Sequence, residues 1–134
     1  GDVPGFPGEF TVDVHGDQHS VSVWDSAGSQ HRLSAREFAE LIRTGTGWDQ
    51  RSPIRLLACD AGGGSRPFAA ELARELGVSV TAADQQVWTF PDGREPAASS
   101  SYRGPENELR PRIPPDGAWY RFVPDGRVEP VSAQ

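Results

Sequence analysis

Two residues in this chain can serve as a nucleophile and its base, and each closes a short apolar run. His15 follows Phe10-Thr-Val-Asp-Val14 and precedes Gly16, while Cys59 follows Ile54-Arg-Leu-Leu-Ala58 and precedes Asp60-Ala-Gly-Gly-Gly64. A thiol is a weak nucleophile until a neighbouring imidazole takes its proton or a local positive field holds the thiolate. The helix expected after the glycine-rich loop offers such a field, through its free amides and the positive end of its dipole. Gly16 has no side chain, so its amide can approach a substrate carbonyl and, with the Cys59 amide, stabilise an oxyanion. Asp60 and Asp84 are expected at the same edge, where two carboxylates would favour a substrate with Arg or Lys before the scissile bond. Their alternative role is to cap the segments that follow.

The remaining candidates are weaker. Asp17 and His19 could orient His15 but also read as a solvated turn, and His31 lies in a polar stretch ahead of a helix. His15 and His19 flank a turn, not a helix face, so no metal site is expected. Gly62-Gly63-Gly64 lacks the Lys-Ser/Thr of a phosphate loop, and the Pro-Cys-x-x-Cys block of a zinc deaminase is missing. No cofactor is expected.

For these groups to meet, the chain must bring the carboxyl ends of two strands side by side. Phe10, Val12 and Val14 alternate with polar neighbours, as do Val21 and Val23 after the Gly16-Asp17 turn, which predicts a hairpin. Ser34-Ala-Arg-Glu37 is a capping box, with Leu33 and Phe38 placed as its hydrophobic staple. Phe38, Leu41 and Ile42 line one face of the helix, which Gly45 or Gly47 ends. Ile54–Cys59 reads as a buried parallel strand. Pro67 suits the first turn of a second helix carrying Phe68, Ala69, Leu72, Ala73 and Leu76, which stops at Gly77. Val78–Ala82 and Val87–Phe90 follow as strands. This alternation predicts an α/β sheet with at least three parallel strands. Arg94–Gly117 holds five prolines and no period, and reads as a lid, a binding loop or disorder, with arginines that are possible cleavage points. Trp119–Val123 and Arg127–Val131, split by Pro124-Asp-Gly126, predict a closing hairpin. The organisation expected is an arm over residues 1–8 and a single domain over 9–134.

Composition narrows the partners. The 134 residues are enough for one core, and Asp+Glu 19 against Lys+Arg 13 gives a net charge of −6. That charge disfavours a nucleic-acid groove. All 13 cations are arginine, so Schiff-base lysine chemistry is excluded. No apolar run reaches the roughly 18–20 residues of a membrane span, and no signal peptide is seen. Cys59 is the single cysteine, which rules out an internal disulfide. The lysine-free, Ala/Arg/Gly/Pro-rich usage suggests a bacterial source. A start at Gly1 with no methionine suggests a piece of a longer protein or a tagged product.

The ordered pair of blocks, Phe10-Thr-Val-Asp-Val-His-Gly16 and Ile54-Arg-Leu-Leu-Ala-Cys59, resembles the catalytic blocks of the caspase-like cysteine peptidases. Leu33-Ser-Ala-Arg-Glu-Phe-Ala-Glu-Leu41 and Phe68-Ala-Ala-Glu-Leu-Ala-Arg-Glu-Leu-Gly-Val-Ser-Val80 look most like the cysteine peptidase domain of large bacterial toxins. The resemblance covers about residues 9–93. It implies a three-layer α/β/α sandwich with a mostly parallel central sheet, a Cys59–His15 dyad and Gly16 in the oxyanion hole. The function it implies is a cysteine endopeptidase, acting on a peptide or protein that includes its own parent chain. The protein would be a monomer, secreted as part of a larger toxin and active in a target cytosol. The toxin peptidases are switched on by inositol hexakisphosphate through a basic surface, and an acidic, lysine-free chain does not carry that activator over. Two other readings stay open: a non-proteolytic toxin effector on the same scaffold, and a catalytically silent interaction module.

Overall fold

The computed structural model describes residues 8–16, 21–59, 65–83, 87–88, 90, 96–113 and 117–131. The chain runs β1 (Phe10–Gly16), β2 (Val21–Trp24), β3 (Gln30–Leu33), α1 (Ala35–Gly45), β4 (Ile54–Cys59), α2 (Ser65–Leu76) and β5 (Val80–Ala83). It continues through β6 (Val87–Trp88), β7 (Ala97–Ala98), β8 (Ser101–Arg103), β9 (Leu109–Pro111), β10 (Trp119–Phe122) and β11 (Val128–Val131). Seven strands form one sheet in the order β11-β10-β5-β4-β1-β2-β3. Only the β1–β4 and β4–β5 pairs are parallel, and the other four are antiparallel.

This corrects the expected fold class. The three parallel strands are present, but the domain is β-rich with a mixed sheet, not an α/β/α sandwich with a mostly parallel one. The reason lies in the direction of the crossovers. The steps from β1 to β4 and from β4 to β5 both move the same way along the sheet. Right-handed crossovers taken in one direction put both helices on the same face. Accordingly, α1 and α2 pack against each other, with the Phe38 and Phe68 ring centroids 6.1 Å apart. Ala39, Ile42, Leu72 and Ala73 join Ile54, Leu56, Val80 and Ala82 in one core cluster. The opposite face carries a smaller cluster of Leu57, Ala83, Val87 and Ala98, with Trp119 packed against it. Short strands cover this face where the sandwich would have placed helices.

Local signals explain most elements. Ser34 Oγ accepts from the Glu37 amide at 3.3 Å and Glu37 Oε1 accepts from the Ser34 amide at 2.9 Å, so the capping box starts α1 as expected. Gly77 takes φ +72°, the left-handed turn that ends α2. The predicted hairpins also form, β1 with β2 and β10 with β11. Against expectation, Gln30–Leu33 is a strand pairing with β2, and the 94–117 region contains three short strands. Of these, β7 pairs with β6, and β8 pairs with β9.

Gly117 donates to the Ala98 carbonyl at 2.8 Å, and a Cβ there would lie 2.6 Å from that oxygen and 2.7 Å from its carbon. Since the obstruction is backbone, Gly117→Ala should destabilise the protein by about 1–3 kcal/mol, read as a lowered urea midpoint.

Between α1 and β4, Asp49 accepts from the Ser52 amide and hydroxyl, each at 2.7 Å, and from the Arg51 amide at 2.9 Å. These bonds, the Ser52 amide foremost, lower its pKa from 3.8 to about 2. Proton binding is therefore weaker in the folded state than in the unfolded one, and the stabilisation is present above pH 3.8 and lost as pH falls toward 2. The stability difference between the parent and Asp49→Asn should shrink over that window, measured by urea unfolding at stepped pH.

Candidate active site

The parallel ladder between β1 and β4 runs through six register pairs, Phe10↔Ile54 to His15↔Cys59. The sequence dictates this register. Phe10, Val12 and Val14 pack against the helix-side core that holds Ile54 and Leu56. A slip of one residue would turn a whole apolar set away from the core. The Phe10 amide also donates to the Pro53 carbonyl at 2.8 Å, and the Ile54 amide to the Ser79 carbonyl at 2.9 Å, pinning the start of both strands. The final pair, His15 and Cys59, therefore occupies one register step at the carboxyl ends of adjoining strands, whose spacing is about 4.8 Å.

From β1 the chain moves to β2 on one flank, and from β4 it moves through α2 to β5 on the other. In open sheets with parallel strands, ligands collect outside the carboxyl edge. Gly16 lies in the same strand end, in register with Val21. An imidazole, a thiol and a side-chain-free amide at such an edge suit acyl transfer through a thioester.

Asp60 and Asp84 lie outside the described residues, as do Asp17, His19 and the Gly62–Gly64 loop. His31 is in β3, away from the pair, with Nε2 2.8 Å from Asp25 Oδ2. Asp25 also accepts from the Ala27 and Ser29 amides, both at 2.9 Å. The His31 bond first, then the Ser29 amide, holds its carboxyl below the usual range. This group closes the β2–β3 turn. Among the described residues, no group of three or more His, Cys, Asp or Glu could hold a metal ion. Nor is any helix there long and apolar enough to cross a membrane.

The structure adds neighbours that the sequence reading missed. Ser22 is the register partner of His15 on β2, and Arg32 is the partner of Ser22 on β3. Gln30 Nε2 donates to Ser22 Oγ at 3.0 Å. Counting back across the predicted β1–β2 hairpin could have found Ser22. Nothing in the polar Gln30–Leu33 segment announced a strand.

The family described as Domain of unknown function (DUF8616) matches residues 1–95, and the chain belongs to it. No curated protein and no solved structure matches.

Proposed function

We propose that this member of the DUF8616 family is a cysteine endopeptidase, with Cys59 as nucleophile and His15 as base. One observation carries the reading: the His15↔Cys59 register pair at the carboxyl ends of adjacent parallel strands. The block order that resembles the caspase-like peptidases supports it from the sequence side.

In this reading His15 takes the Cys59 proton and the thiolate attacks the scissile carbonyl, forming a C–S bond. The amides of Gly16 and Cys59 stabilise the oxyanion. His15 then returns the proton to the leaving amine as the C–N bond breaks. Water, deprotonated by His15, cleaves the thioester and frees the thiol and a carboxylate. The substrate is a polypeptide, the longer bacterial toxin-like chain containing this domain included. The carboxylates of Asp60 and Asp84 would set a preference for a basic residue before the cleaved bond.

Having one cysteine makes the test direct, because every alkylated product reports on Cys59. An isolated thiol titrates near about 8.5 and is only a few per cent thiolate at pH 7. Iodoacetamide should therefore label the parent at pH 7 about thirtyfold faster than His15→Ala, with the gap closing above pH 9. A peptidyl acyloxymethyl ketone should label the parent and spare His15→Ala. Equal rates and equal pH profiles in the two proteins would overturn the dyad. A reactive thiol that iodoacetamide labels but the peptidyl probe does not would overturn the peptidase assignment.

A further inference from the structure

We infer that Ser22, held by Gln30, is the positioning residue for His15. This rests on the dyad reading and extends it by one strand. Three separate pairings line up Cys59, His15, Ser22 and Arg32 in a single row across β4, β1, β2 and β3. On β2, Val21 is buried and Val23 packs against the helix-side core. The alternation of a strand then puts the partly exposed Ser22 on the other face.

Residues directly opposed in an antiparallel pair have Cβ atoms about 4.5–5.5 Å apart. That span suits a bond between a serine oxygen and an imidazole Nδ1. A serine hydroxyl has one proton and two lone pairs. Gln30 Nε2 occupies one lone pair at 3.0 Å and restrains the rotamer, and the second is left to accept from Nδ1–H. Fixing the proton on Nδ1 leaves the Nε2 lone pair to receive the thiol proton, and the same bond stabilises the imidazolium once formed. The nearest rival is Asp13, an exposed carboxylate two residues back on β1. It is a full pleat repeat away along the strand, while Ser22 is directly opposite.

Four variants decide the matter, with thermal melts confirming that each folds. Ser22→Ala should slow Cys59 alkylation at pH 7 about fivefold, the effect of losing one hydrogen bond, and move the rise in rate to higher pH. Ser22→Thr should retain the parent rate and profile, because it keeps the hydroxyl. Nitrogen NMR of the imidazole should show Nδ1–H for neutral His15 in the parent and a tautomer mixture in Ser22→Ala. Parent-like alkylation and tautomer in Ser22→Ala, with His15→Ala still slow, would remove Ser22 and leave the dyad standing. Parent-like alkylation in His15→Ala would remove the dyad and this inference together. The same profile shift in Asp13→Asn, with Ser22→Ala unchanged, would transfer the role to Asp13.

Discussion

Cys59→Ala is expected to abolish peptide hydrolysis, a loss of about 10,000-fold or more in kcat. The size follows from the chemistry: no other thiol exists in the chain, and without sulfur the covalent step has no nucleophile. His15→Ala should fall nearly as far, and the double variant little further, because a nucleophile and its base act as one unit. Cys59→Ser should also fail, since a hydroxyl is far harder to ionise than a thiol. Hydrolysis is read with fluorogenic peptides carrying arginine before the reporter, and self-cleavage by mass spectrometry of the chain itself. Matching melting temperatures would assign the loss to chemistry and not to folding. Peptide cleavage that survives Cys59→Ala would refute the assignment.

The second large effect is structural. Phe38→Ala should cost about 3–5 kcal/mol, a large share of the roughly 5–15 kcal/mol that holds a domain together. Phe38 is 2% exposed and sits where α1 meets α2, its ring tilted 45° against that of Phe68. Truncation opens a cavity between the two helices that cover this side of the sheet among the described residues. Leu41 is in the same helix but 39% exposed, and Leu41→Ala should cost under about 1 kcal/mol. Urea unfolding of both variants provides the comparison. A cost below about 1 kcal/mol for Phe38→Ala would contradict the shared helical layer.

The contrast between what was legible and what was not has physical causes. The blocks ending in His15 and Cys59 could be read because alternating or continuous apolar residues declare a strand whatever surrounds them. The capping box at Ser34 is equally local, and it formed. The number of layers could not be read the same way. Strand-helix-strand-helix-strand is compatible with helices on one face or on both, and only the order β5-β4-β1 decides. β10 joins β5 across the whole of residues 84–118, a pairing no local pattern encodes. β3 escaped notice because Gln30, His31 and Arg32 are exposed on an edge strand and show no apolar period. β7, β8 and β9 are two or three residues long among prolines and serines, too short for periodicity to emerge.

At the site, the facing positions of His15 and Cys59 followed from sequence only on the guess that their strands adjoin. The ladder supplies that adjacency. The neighbours on β2 and β3 needed the hairpin partners themselves, and Asp60 and Asp84 remain outside the described residues.

The matched lengths of the two blocks restrict how this family can drift. Phe10 to His15 and Ile54 to Cys59 advance step for step along the ladder. Deleting one residue from either block would swap inside for outside along that strand, and deleting two would leave its last residue facing the wrong neighbour. Relatives that keep these two positions in register must therefore gain or lose residues in both blocks together.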